Sequence, residues 1–84
     1  MSRSNTPLAN WLRLAAPEER DRLALLAGTS TNYLWQIASC RREPRVSLAF
    51  RLEQSSRRMW AETEGRLPIV TAEEMAHACA LDGL

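Results

Sequence analysis

The 84 residues contain no lysine, only two cysteines, and no apolar run near the roughly 20 residues that a bilayer-spanning helix needs. The opening MSRSNTP lacks the apolar stretch of a secretion signal, so a cytoplasmic location is expected, with no membrane partner. In that compartment Cys40 and Cys79 are expected as free thiols rather than a structural bridge. His77 and Cys79 suggest a metal pair, but a site needs three or four ligands and only the distant Cys40 remains; no metal or other cofactor is expected. No glycine-rich phosphate loop occurs, carboxylates are scattered, and no nucleophile has a base placed beside it. Catalysis is not expected, and no catalytic residue is assigned.

What is present is arginine, unevenly spread. Residues 1–60 hold ten arginines against five acids, a net +5, while 61–84 hold one against five, a net −4. A basic body with an acidic tail suggests a polyanion partner for the body. The alternative is an ordinary solvated surface. The chain divides accordingly into a body, 1–60, and an acidic tail, 61–84, the latter a candidate dimerisation or partner-binding segment.

The body reads as short helices. Thr6-Pro7 is a capping hydroxyl followed by proline at the first helical position, and Leu8, Trp11, Leu12 and Ala15 then fall on one face. Pro17 restarts the chain, with Glu18 and Glu19 where a helix dipole favours carboxylates. Leu23, Ala24 and Ala27 face inward until Gly28, which tolerates the left-handed conformation that ends helices. A third helix opens at Thr29 or Ser30 and turns Leu34, Ile37 and Ala38 inward. Residues 41–45, RREPR, are a loop. Ser47 is the expected cap of a fourth helix, with Leu48, Ala49 and Leu52 inside and an end near Met59 and Trp60.

The tail changes character. LPIV at 67–70 reads as extended, since proline pushes its predecessor out of helix and β-branched residues follow. As a strand, its edge would let Leu67, Ile69 and Val70 pair with the same strand of a second copy. Alternatively, Ile69 and Val70 pack on the domain's own core. Thr71 and Glu74 have capping-box spacing ahead of a last short helix. The fold expected is all-α, four or five helices in a compact unit, with a short C-terminal strand admitted.

A helix, a tight turn and a second helix form the arrangement that places the second helix in the DNA major groove. Thr31, Asn32, Trp35, Gln36 and Ser39 fall on the outer side of that helix. Asn and Gln can each bond adenine at N6 and N7, and Thr can meet a thymine methyl; Thr31, Asn32 and Gln36 are therefore the candidate base readers. Trp35 can stack on sugar or fold back over the fourth helix, the latter favoured because indoles bury large areas. Leu25 and Leu26 are open between core and dimer contact.

These residues bring a family into view. LALLAGTS at 23–30, YLWQIA at 33–38, RREP at 41–44 and LAFRLE at 48–53 resemble the Cro/cI-type, lambda-repressor-like family of phage repressors and related bacterial regulators, over about residues 8–56. The resemblance implies a helix-turn-helix fold and double-stranded DNA as partner. It implies phosphate contacts at Arg20 and Ser30, at the starts of the two helices, and at Arg41, Arg42 and Arg45 beyond them. Arg41 and Arg42 can also cap the negative end of the third helix. One departure stands out: Cys40 occupies the position where that family commonly has glycine. The function expected is a sequence-specific transcriptional regulator of phage or prophage type, acting as a homodimer on two half-sites. The rival, from another class, is a protein-docking module such as an antitoxin or adaptor, with Leu25, Leu26, Trp35 and Trp60 as its apolar patch and the acidic tail as a partner's anchor.

Overall fold

Five helices follow one another in the computed structural model, which describes residues 6–82 and side chains as far as 78. They are α1 (Pro7–Leu14), α2 (Pro17–Ala27), α3 (Thr31–Ala38), α4 (Val46–Glu62) and α5 (Ala72–Asp82). The chain is all-α, with no strand among the described residues. None of these helices is long and apolar enough to cross a membrane.

Each start has a physical cause. Thr6 Oγ1 accepts from the Ala9 N–H at 3.1 Å and donates to the Ala38 carbonyl at 2.8 Å, so one buried hydroxyl caps α1 and ties it to the end of α3. Alanine precedes α2, and the Glu19 carboxylate instead reaches back to the Ala16 N–H at 2.8 Å. Ser30, not Thr29, caps α3 through the Tyr33 N–H. The cap expected at Ser47 is not used. The helix begins at Val46, directly after extended Arg45, whose carbonyl already accepts from the Ala49 N–H.

Three helices end alike. At Gly28, Cys40 and Glu64 the backbone turns left-handed, φ 76°, 62° and 53°. In each case the residue after the turn donates its N–H five positions back: Thr29 to Ala24, Arg41 to Gln36, Gly65 to Trp60. This is the Schellman motif, which satisfies otherwise orphaned carbonyls. Cys40 thus takes up the glycine's conformation, and α3 is not lengthened.

α2 and α4 run antiparallel, pinned at both ends. Arg22 grips Glu62 with two nitrogens, at 3.0 and 2.7 Å, and Arg51 Nε donates to the Ala27 carbonyl at 2.9 Å. Between them lies one core that includes Trp11, Leu12, Leu23, Leu34, Ile37, Leu52 and Met59. Leu67, Val70 and Met75 belong to the same core.

That placement corrects the reading of the tail. Residues 67–70 form no strand, because the Val70 N–H is taken by the buried Ser56 hydroxyl at 3.0 Å. Leu67 and Val70 are buried inside the monomer, and Ile69 is half-buried beside them, so this segment offers no edge to a second copy. The 60/61 division is not a break either, since α4 runs across it to Glu62. The Thr71–Glu74 box forms as expected: Thr71 Oγ1 accepts from the Glu74 N–H, and Glu74 Oε1 from the Thr71 N–H. Glu53 adds a third contribution, accepting the Ala72 N–H at 2.8 Å.

Candidate nucleic-acid interface

α3 is short, apolar on one side and polar on the other. Leu34, Ile37 and Ala38 are buried, which fixes the helix against α1 and α2 and sets which side faces out. Its sequence, TNYLWQIA, carries no charge; charge reaches the site from neighbouring elements.

Asn32 is exposed near the start of the helix. Thr31 sits beside it, half-buried, its hydroxyl donating to Asp21 Oδ1 of α2 at 2.6 Å. That bond leaves the Thr31 methyl as the part able to meet a base. Gln36 lies one turn beyond Asn32, and its Oε1 accepts from Arg42 Nε at 3.3 Å. Asn32, Trp35, Gln36, Ser39, Arg41 and Arg42 together line one open groove of about 550 Å³. Arg45 stands exposed just beyond, and Ser30 is exposed at the N-terminal end, where the free N–H groups of the first turn favour an anion.

Arg20 behaves differently from the expectation. Its Nε donates to the Leu12 carbonyl at 2.7 Å, and its guanidinium lies 5.6 Å from the Trp35 ring centroid. The side chain closes the last turn of α1 and covers an indole. It is a strut between α1, α2 and α3, not an arm extended to phosphate. Trp35 is half-buried and packed on the core, as favoured, and this arginine of α2 lies over its ring.

Cys40 also departs from expectation: it is disulfide-bonded. The expectation of a thiol rests on a compartment rule, not on geometry. The other cysteine, Cys79, lies beyond the described side chains.

Val46 and Phe50, not among the expected site residues, are 74% and 56% exposed on α4. Their sequence signal is an i, i+4 apolar pair on the side away from Leu48, Ala49 and Leu52. Leu25, open between core and contact in the sequence, is 76% exposed, while Leu26 packs on the core.

No family model, curated protein or solved structure matches this chain.

Proposed function

We propose that this protein is a sequence-specific binder of double-stranded DNA that regulates transcription, reading the major groove with the outer side of α3. One observation carries the proposal. Asn32, Gln36, Arg41 and Arg42 line a single groove on a helix whose opposite side is locked into the core. Hydrogen-bonding amides suit base edges, and the arginines beside them suit DNA, at its phosphates or its bases. Asn32 and Gln36 discriminate among bases and the Thr31 methyl meets thymine, while Arg41, Arg45 and the Ser30 end of α3 hold the backbone. An eight-residue helix reaches few base pairs, so two copies on an inverted repeat supply the rest of the specificity. The sequence likeness to Cro/cI-type repressors fits this reading, with a phage or prophage regulator as the setting.

The test is repeated selection of bound duplexes from random DNA at near-physiological salt. Enrichment of an inverted repeat is expected. Retention without enrichment would reduce the interaction to backbone attraction, and no retention would reject DNA as the partner.

The docking-module reading is favoured by Leu25 and Trp60, both exposed. Leu25→Glu separates the two: it abolishes partner capture under the docking reading and leaves the selected DNA unchanged under the first.

A further inference from the structure

Arg42 follows α3 in the chain yet folds back onto it. Its backbone N–H and its Nε both donate to Gln36, the first to the carbonyl and the second to Oε1, each at 3.3 Å. The Schellman turn at Cys40 brings the chain round for this, with Arg41 donating to the same carbonyl at 2.9 Å. An arginine has no acceptor, so the Gln36 atom facing it must be the amide oxygen. The orientation of that amide is therefore chemically forced: its oxygen points to Arg42 and its NH2 away.

Building on the DNA-binding reading above, we infer that Gln36 and Arg42 form one donor-rich unit that selects guanine, with Arg42 reading a base edge rather than clamping phosphate. A glutamine standing alone matches adenine, giving an N–H to N7 and taking one from N6. Here the oxygen needed for the second bond already gives one of its two lone pairs to a guanidinium. The unit is then dominated by N–H groups, those of the Gln36 amide and of the Arg42 guanidinium. Guanine displays two adjacent acceptors, O6 and N7, to the major groove; adenine displays an acceptor and a donor. A row of donors fits the first and opposes the second. Position supports the same assignment. A guanidinium tied to Gln36 faces what Gln36 faces, and both line the groove with Asn32 and Trp35.

The test runs the random-duplex selection in parallel on the wild-type protein, Arg42→Met and Gln36→Ala, with circular dichroism confirming the folded state. Arg42→Met keeps an unbranched side chain and removes every side-chain donor. The wild type is expected to enrich a guanine in each half-site, and Arg42→Met to bind duplex DNA while tolerating any base there. Replacing that guanine by 7-deazaguanine, which lacks the N7 acceptor, should weaken wild-type binding about tenfold and leave Arg42→Met unaffected. The inference is overturned, with the DNA reading intact, if Arg42→Met selects the wild-type sequence, or if Gln36→Ala relaxes an adenine that Arg42→Met leaves fixed. A wild-type protein that enriches no sequence overturns both.

Discussion

Single side chains here are often held by a second group, and that decides what each can do. Under the proposed function exposed Asn32 is the candidate base reader, and Asn32→Ala should cost about 1–3 kcal/mol at the selected site and relax one position. Competition binding against base-substituted duplexes measures both. Arg45→Ala, by contrast, should weaken binding to every sequence alike and lower the logarithmic salt slope by about one, read from titrations at several ionic strengths. The exposure of both residues was legible in the sequence because the periodicity of α3 and the polar loop after it fix which way they face. Arg20 was not. Its place in the chain suits phosphate, but no spacing rule reveals that the Leu12 carbonyl and the Trp35 ring lie nearer. Glu64 illustrates a different kind of constraint, a branched-off side chain in a left-handed turn at φ 53°. Glu64→Gly should raise stability by about 0.5–1 kcal/mol in urea unfolding, since glycine reaches that conformation without a Cβ clash.

At the level of elements, the helices were readable and the segment between α4 and α5 was not. Apolar spacing, Pro7, Pro17 and Gly28 mark where α1 to α3 start and stop. Residues 67–70 have strand composition, yet the Leu67 N–H is taken by the Thr63 hydroxyl and the Val70 N–H by a serine fourteen residues away, a partner that no local pattern announces. Ser56→Ala should therefore cost about 1–3 kcal/mol, the loss expected when a buried N–H goes unpaired, measured by equilibrium unfolding. Acid should loosen the same region. The Ala72 N–H and then Arg57 hold the Glu53 carboxyl below its ordinary value of 4.5. A depressed folded-state pKa gives stability that is complete above the unfolded value and is lost as pH falls through the folded one. Glu19, lowered by the Ala16 N–H and Arg66, and Glu62, lowered by Arg22 and Arg58, act in the same direction. Thermal midpoints should thus fall once the pH drops below about 4.5, and Glu53→Gln should flatten part of that decline.

For the molecule as a whole, the charge split proved a poor guide to architecture. The acidic stretch contributes Leu67, Val70 and Met75 to the one core, so surface charge and structural role divide the chain at different places. Ion pairs join the two regions in both senses: Arg22 of the body to Glu62 of the acidic stretch, and Arg66 of the acidic stretch to Glu19 of the body. Deleting 67–84 should consequently abolish cooperative unfolding, followed by circular dichroism on heating, rather than release a smaller folded body. A stable, cooperative fragment would show that α1 to α4 suffice alone.

The arrangement of the three tryptophans gives the groove a built-in optical reporter. Trp11 is fully buried, Trp60 is exposed, and Trp35 lies half-covered by Arg20 on the wall of the groove. Their emission should differ in colour and in access to a dissolved quencher, and with Trp60 replaced by phenylalanine the quenchable signal belongs mainly to Trp35. Occupancy of the groove can then be followed by fluorescence without attaching any dye.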